Sequence, residues 1–298
     1  MSLQDVTSSR LAVRVGLILG RYLPPRAGQG LVRLMARAIA TYKPAIYYTV
    51  RANLRQVVGA TADLAQLDNL TYRLFLHAGQ TTYDFFRALD LPADQLAQKV
   101  PVPDWFLERV RLETARGRGV LLLGLHLSNF DLGILCLGAK GLAIQVLSLA
   151  NPPAGFLVFN QLRAKTGLEL TPITPQSLRA AVRRLRRGGI VLTGADRPIP
   201  EDQELIPFFG RPAYLPVGPV RLALLTEALV FLGGCRYDSD QGYQTIIHGP
   251  LEMVQTGDRE ADVVANTCRL AAAIEEEVRR CPEQWLMFHP LWPNNNGE

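Results

Sequence analysis

Residues 120–133 read VLLLGLHLSNFDLG, and this stretch decides the fold of the second half of the chain. Its first six residues are almost entirely apolar, which is typical of a buried strand. Between residues 126 and 131 four side chains are polar, namely His126, Ser128, Asn129 and Asp131, before an apolar helical pattern resumes. A strand, a short turn and a helix in this order form the repeating unit of a parallel α/β sheet. The stretch therefore predicts a strand over 119–125, a turn that carries His126, and a helix over 129–140.

The same alternation of short β-rich runs and helical runs continues to residue 281. It predicts the α/β fold class, with a mainly parallel sheet flanked by helices. Further strands are expected at 142–149, 168–173, 189–195, 229–237 and 242–250. Further helices are expected at 153–167, 175–188, 218–228 and 259–281. The segment between the fourth strand and residue 216 has neither pattern and is expected to be irregular.

An N-terminal helical region precedes the sheet. Residues 6–117 repeat apolar residues at three- and four-residue spacing, and prolines separate the expected helices. We therefore divide the chain into an N-terminal helical, membrane-associating region (1–117) and an α/β core (118–298), which is expected to be one compact unit.

The N-terminal region is strongly basic, with nine Lys or Arg residues and one acid in residues 1–60. Such a lobe suits an anionic membrane surface or a nucleic acid. Nucleic acid is disfavoured, because no exposed aromatic residues are interleaved with the basic ones on a recognisable module. No run reaches the ~20 apolar residues of a membrane span. A helical face instead has an interfacial pattern, and it consists of Leu11, Val15, Ile18 and Leu19. Residues 10–22 either insert into a membrane surface or pack on the protein.

The composition is that of an ordinary globular protein. Among 298 residues, 48% are hydrophobic and 20% are charged, so a sizeable core is expected. The four cysteines are scattered and have neither a CxxC pair nor metal-ligand spacing. They predict reduced thiols in a cytoplasmic protein without a zinc site.

His126 and Asp131 are the first candidates for chemistry. Functional groups collect beyond the carboxyl ends of parallel strands, and His126 follows such an end. Ser128 or Asn129 can cap the next helix, which puts Asp131 in its first turn. The turn would let Asp131 orient His126 as a general base, although a histidine hydrogen-bonded at the sheet edge is the structural alternative. There is no GxSxG motif, so the base would act on a substrate hydroxyl.

The other three histidines, His77, His248 and His289, have no carboxylate at comparable spacing across a predicted strand-to-helix turn. We therefore assign none of them to the site from the sequence.

The long segment 194–219 follows a strand and is expected on the same face of the sheet as His126. Arg197 could hold a phosphate or polarise a carbonyl oxygen, and the pair of phenylalanines beside Gly210 could flank an acyl chain. The alternatives are a structural ion pair for Arg197 and a core position for the phenylalanines. The candidate substrate-binding residues are Asn129, Asp196, Arg197, Glu204, Phe208, Phe209 and Arg236.

Four segments in register resemble one known family over roughly residues 10 to 292. They are RANLRQVVG (51–59), HLSNFD (126–131), GADRP…LLTEA (194–228) and PEQWLMFHPLW (282–292). The family is that of the bacterial lipid A biosynthesis (late) acyltransferases, which includes the phosphatidylinositol mannoside acyltransferases. Ser128 and Phe130 depart from the glycine and tryptophan usual in this motif. Asp131, in place of glutamate, is nearer to the mannoside type.

The resemblance implies a glycerolipid acyltransferase-like fold and the transfer of a fatty acyl group to a hydroxyl of a membrane glycolipid. The acyl donor would be acyl-CoA or an acyl carrier protein. His126 would be the base and Asp131 its partner, without an acyl-enzyme, a metal or a prosthetic group. The expected location is the cytoplasmic face of the cell membrane, as a peripheral or monotopic protein.

Two alternatives stay open from the sequence. A lysophospholipid or glycerol-phosphate acyltransferase shares the HxxxxD pattern, but its usual FPEGT-like residues are absent here. A non-catalytic peripheral membrane-binding protein would also explain the basic helical region.

Overall fold

The computed structural model describes residues 10–59, 61–149, 167–199 and 201–293. Helices dominate the first part of this range, as predicted. Prolines stand at or before the first turn of several helices, and Asp63 caps the longest one by accepting a hydrogen bond from the Gln66 backbone N–H. The helices before the sheet are α1 Arg10–Tyr22, α2 Pro25–Tyr42, α3 Ala45–Val58, α4 Leu64–Ala88, α5 Ala93–Leu96 and α6 Asp104–Ala115.

A six-stranded sheet follows in the order β3-β2-β4-β1-β7-β8. The first five strands in this order are mutually parallel, and β8 runs antiparallel to β7. The predicted α/β class is thus confirmed, with strand ends within two residues of the predicted bounds. The strands are β1 Val120–Gly124, β2 Ile144–Ser148, β3 Glu169–Pro172, β4 Ile190–Gly194, β7 Leu229–Asp238 and β8 Gly242–Leu251.

Helices cover both faces of the sheet. They are α7 Phe130–Ala139, α8 Pro175–Arg186, α9 Gly218–Thr226 and α10 Arg259–Arg280. The central strands are buried on both faces, which explains their continuous apolar sequences. The helix predicted over 153–167 lies, up to residue 166, outside the described residues.

The segment expected to be irregular contains a β-hairpin. Its strands are β5 Gln203–Phe208 and β6 Arg211–Pro216, which pair antiparallel and form a separate two-stranded sheet. Phe209 has a φ of 50° and Gly210 a φ of 74° in the two-residue turn, and positive values at both positions are what such hairpins require. The expectation of irregular structure was therefore wrong for these residues.

The N-terminal helices share their core with the sheet. Phe85 and Phe86 of α4 pack in one apolar cluster with Val120 and Leu122 of β1. On the other face of the sheet, β1 packs with α8, α9, α10 and the hairpin. The division at residue 117 stays a prediction.

Helix α1 packs on α4 through its glycines. A Cβ atom added at Gly20 would lie 2.6 Å from Phe86 Cβ, so the two helices touch at this point. Val15 and Ile18, from the face predicted to be interfacial, are exposed to solvent. None of the helices in the described ranges has the length and hydropathy that crossing a bilayer requires.

Candidate active site

His126 lies just beyond the carboxyl end of β1, in the middle of the sheet. The backbone continues the sheet pairing for one residue, because the Leu125 N–H donates to the Gly233 carbonyl at 2.9 Å. The carbonyl of His126 then accepts from the Leu286 N–H at 2.8 Å. The backbone of His126 is therefore fixed between a neighbouring strand and the C-terminal segment, which limits where its ring can point.

The His126 ring is bound to a buried carboxylate. Its Nδ1 atom lies 2.6 Å from Asp196 Oδ1, and its backbone N–H donates to Asp196 Oδ2 at 3.1 Å. The Trp285 indole N–H donates to the same Oδ2 at 2.9 Å. Asp196 has no exposed surface. Every hydrogen bond to this carboxylate therefore comes from within the protein.

These contacts keep Asp196 ionised. Burial alone would raise the pKa of Asp196, but the positive charge of His126 and the hydrogen bonds from His126 and Trp285 outweigh it and lower the pKa below its usual value. An ionised carboxylate only accepts hydrogen bonds, so Nδ1 of His126 carries a proton. Nε2 is then the basic nitrogen of the neutral ring.

The carboxylate at Nδ1 is thus that of Asp196, whereas the sequence pattern pointed to Asp131. The reason is strand register. Gly124 and Gly194 are paired on the adjacent parallel strands β1 and β4, and His126 and Asp196 each come two residues later. Asp131 lies in the first turn of α7 and is partly buried. Its catalytic role stays a prediction.

Two residues set the space around the imidazole. A Cβ atom added at Gly194 would lie 3.2 Å from His126 Cε1, so glycine leaves room for the ring at this position. Phe130 packs against the ring nearly edge to face, with centroids 4.8 Å apart. The ring is therefore enclosed on two sides, and the His126 side chain keeps 21% of its surface exposed for contact with a substrate.

The turn after His126 is closed by Asn129. As predicted for this position or its neighbour, Asn129 is the N-cap of α7, and its Oδ1 accepts from the Leu132 N–H at 3.3 Å. Its Nδ2 donates to the Thr81 carbonyl of α4 at 3.1 Å. Asn129 is 2% exposed, so both ends of its amide hold the turn from inside the protein.

Two further basic side chains lie near His126. Burial lowers the pKa of Arg197, although the neighbouring Asp196 raises it. Burial also lowers the pKa of His289 to about 4, and the positive charges of Arg197 and His126 add to this effect. His289 is therefore neutral near pH 7, whereas Arg197, the residue after Asp196, carries a permanent positive charge.

Comparison with known proteins shows which protein family this chain belongs to. The family model of bacterial lipid A biosynthesis acyltransferase matches residues 6–294. This chain belongs to the bacterial lipid A biosynthesis acyltransferase family. It is an enzyme, an acyltransferase that uses an acyl donor and a lipid acceptor, which excludes the non-catalytic alternative.

Two curated relatives carry the name phosphatidylinositol mannoside acyltransferase. The protein from Mycobacterium tuberculosis is 25% identical over 247 residues, which cover 82% of this chain and 76% of the relative. The protein from Mycolicibacterium smegmatis is 25% identical over 287 residues, which cover 95% of this chain and 90% of the relative. The similarity thus spans both the helical region and the sheet.

In this acyltransferase the predicted polar candidates separate into two groups. Asp196 and Arg197 lie at the end of β4, beside His126. Glu204 accepts a hydrogen bond from Arg221 Nη2 at 3.1 Å. Arg236 forms an ion pair with a buried glutamate of α10, Glu277, at 3.8 Å. Glu204 and Arg236, which form the second group, are therefore each paired with another charged side chain of the protein.

The two phenylalanines of the hairpin contact other aromatic and charged side chains of the protein. Phe208 is fully buried and stacks on Trp292, with ring centroids 5.8 Å apart. Phe209 stands in the turn, and the Arg279 guanidinium lies 4.9 Å from its ring centroid. For Phe208 the structure therefore agrees with the alternative interpretation, a core position.

Sequence reasoning missed Trp285 and His289, which belong to the terminal segment PEQWLMFHPLW. Leu127 forms an isolated antiparallel bridge with Trp285, which brings this segment to the site. No spacing rule links residues so far apart in the chain. The only signal was the similarity of the segment to the family.

Proposed function

We propose that the protein transfers a fatty acyl group from acyl-CoA or an acyl carrier protein to a hydroxyl of a membrane glycolipid. The contact between His126 Nδ1 and Asp196 Oδ1 is the main support, because a buried carboxylate at one ring nitrogen makes the other a general base. The acceptor hydroxyl gives its proton to His126 Nε2 as its oxygen attacks the thioester carbonyl. The carbonyl then re-forms and the thiolate leaves, taking the proton from the imidazolium. No acyl-enzyme is formed.

The surroundings of His126 suit each step of this reaction. Asp196 stabilises the imidazolium that forms when Nε2 takes the proton. Arg197 and the backbone N–H groups at the start of α7 are our candidates for stabilising the oxyanion. Asp131, in the first turn of α7, remains in the proposal as a second carboxylate whose contribution is separate from the orientation of Nδ1.

A glycolipid acceptor is supported by the family and by the two relatives. Both are named for phosphatidylinositol mannoside, so this lipid is the first acceptor to test. The helical region supports approach to an anionic membrane surface, which we propose to be the cytoplasmic face of the cell membrane. Its exposed face combines large apolar side chains, such as Ile18 and Leu34, with arginines such as Arg33 and Arg37.

The decisive experiment measures transfer of radiolabelled palmitate from palmitoyl-CoA and from palmitoyl-carrier protein. The acceptors are phosphatidylinositol mannosides, a lipid A precursor, lysophospholipids and glycerol phosphate. We expect His126→Ala to lower kcat by about a hundredfold to ten-thousandfold, the usual contribution of a general base. Asp196→Asn should lower kcat by about a hundredfold or more, because an amide no longer fixes the tautomer of His126.

A matched control is His248→Gln. His248 also bonds to a carboxylate, with Nε2 3.0 Å from Glu277 Oε1, but it lies on β8. It should keep kcat within about twofold of the parent, because β8 is an edge strand of the sheet and the glutamine amide can still donate to Glu277. Equal activity of His126→Ala and the parent would refute the proposal. Product on lysophospholipids or glycerol phosphate alone would favour the alternative acceptor.

A further inference from the structure

The turn that carries His126 contains an unfavourable backbone conformation. Ser128 has a φ of 50°, in the left-handed region where a Cβ atom crowds the following carbonyl. Ser128 is also buried, with 1% of its surface exposed. Such a conformation persists only where the surroundings hold it, so the contacts of Ser128 must favour it over the ordinary regions.

One of these contacts comes from the N-terminal helical region. His77 of α4 places its Nε2 atom 2.9 Å from Ser128 Oγ. Burial lowers the pKa of His77 to about 4, so its ring is neutral near pH 7 and its Nε2 either donates to the hydroxyl or accepts from it. The ring of Tyr237 also packs near His77, and the two ring centroids lie 6.2 Å apart.

The backbone of the same turn is bonded on the opposite side. The Ser128 N–H donates to the Gln284 carbonyl at 2.7 Å, and the Leu286 N–H donates to the His126 carbonyl at 2.8 Å. Any relaxation of Ser128 towards a negative φ would rotate its peptide away from Gln284. His126 is two residues earlier, so such a rotation would also move the imidazole relative to Asp196.

We propose that His77 is a positioning residue that holds Ser128 in its left-handed conformation and thereby aims His126 at Asp196. The proposal rests on the role of His126 as the base. It gives α4 two points of attachment to the turn, one helical turn apart: the side chain of His77 and the carbonyl of Thr81, which accepts from Asn129. On α4 the second attachment is a backbone carbonyl, so of the two α4 groups only His77 can be changed by substitution.

The test is a double-mutant cycle between His77→Phe and Ser128→Gly. Phenylalanine keeps a ring in the cavity and removes the hydrogen bond. Glycine adopts a positive φ without help. In the parent background we expect His77→Phe to lower kcat about tenfold with little change in KM, because small displacements of a catalytic group are costly. In the Ser128→Gly background the same substitution should change kcat by less than about twofold, because glycine keeps a positive φ without a hydrogen bond to His77. The two substitutions are then coupled rather than additive.

Two additional measurements exclude a purely structural role. His77→Gln keeps a side-chain amide that can bond Ser128 Oγ, and it should restore most of the activity lost in His77→Phe. Labelled-histidine NMR follows the proton on His126 Nδ1, whose low-field resonance reports the hydrogen bond to Asp196. His77→Phe should move this resonance upfield, because a looser contact with Asp196 weakens that hydrogen bond.

The outcomes separate the two proposals. An equal loss of kcat in both backgrounds, or an unchanged Nδ1–H resonance of His126 in His77→Phe, overturns the positioning role. A loss of thermal stability with unchanged kcat does the same. An inactive parent enzyme with every donor and acceptor contradicts the proposed function instead, and the Nδ1–H resonance still decides whether His77 positions His126.

Discussion

The contact between His126 and Asp196 is built by backbone register. Gly124 and Gly194 end their strands as register partners, and each is followed two residues later by one member of the pair. Side chains alternate between the faces of a strand, so residues two beyond paired positions point the same way. Neither partner needs to be near the other in sequence. The local HxxxxD spacing therefore located the histidine but did not indicate which carboxylate bonds its Nδ1.

The two glycines provide a matched pair of substitutions. A Cβ atom at Gly194 would lie 3.2 Å from His126 Cε1, whereas at Gly124 the nearest atoms, of Leu192 and Thr193, are 3.7 Å away. Gly194→Ala must therefore displace the imidazole by a few tenths of an ångström. We expect kcat to fall about tenfold in Gly194→Ala and by less than about twofold in Gly124→Ala.

The measurement is kcat for both variants, with thermal unfolding as a check on folding. Both substitutions replace a strand glycine and reduce the entropy of the unfolded chain alike, so this effect should stabilise the two variants equally, by about 0.4–1 kcal/mol. Equal activities of the two variants would show that the imidazole does not depend on the space at Gly194.

At the scale of elements, the strands of the main sheet were predictable because each one is marked by a pattern of neighbouring residues. β1 and β4 are buried on both faces, and a continuous apolar run between glycines marks each of them. The hairpin of β5 and β6 was not predictable in the same way. Pro207 and Pro212 interrupt both strands, and prolines normally argue against a strand. They are tolerated here because the hairpin is a separate two-stranded sheet in which both strands are edges.

The order of the elements was also beyond sequence reasoning. Alternating strands and helices imply a parallel sheet, yet many strand orders satisfy that pattern. Only the order β4-β1-β7 places Asp196 beside His126, and the bridge between Leu127 and Trp285 adds a C-terminal segment to the site. The sequence therefore identified His126 and Asp196 as candidates, but the pairing of these two residues depends on long-range packing that the sequence does not show.

Helices α1 and α2 present a surface that can be tested with vesicles. Leu34 of α2 is 65% exposed and lies among arginines. We expect Leu34→Glu to weaken binding to vesicles of anionic phospholipid about tenfold or more. It removes an apolar side chain that is worth about 1.5–3 kcal/mol when buried and adds a repelled charge. Vesicle co-sedimentation gives the partition constant.

The control for this prediction is Leu205→Glu on the hairpin. Leu205 is 52% exposed, so its substitution makes a similar change in surface charge and apolarity at another place. It should reduce binding much less than Leu34→Glu. Equal reductions by the two substitutions would mean that overall charge, and not the face of α1 and α2, governs attachment.

At the scale of the whole molecule, the helical region and the sheet are joined through α4. This helix packs against β1 through Phe85 and Phe86, while α1 and α2 lie on it through Gly20 and Gly79, where an added Cβ would overlap Phe86 and Val32. α4 also reaches the turn of His126 through His77. α4 therefore contacts α1 and α2 on one side and the turn of His126 on the other. Through these contacts the helical region is packed into the folded enzyme.

Burial of histidines makes the stability of the whole molecule depend on pH. The pKa of His77 and that of His289 are both lowered from 6.5 to about 4, chiefly by burial. Between these values the unfolded chain binds protons that the native state does not, so the free energy of unfolding falls as the pH falls. The pKa of Asp196 is lowered from 3.8, so its contribution is kept above that value and is lost only at lower pH.

The pH window of these two histidines, between about pH 6.5 and pH 4, therefore lies above that of Asp196. For a histidine shifted as far as His77, the loss between about pH 7 and pH 5 is about 2 kcal/mol. Urea unfolding at these two pH values measures it. His77→Gln has no imidazole to protonate, so the difference between its two unfolding free energies should be smaller than that of the parent by about this amount. An identical difference in the two proteins would mean that the native state accepts a proton at His77 near pH 5, and that the ring is less enclosed by Ser128 and Tyr237 than their contacts indicate.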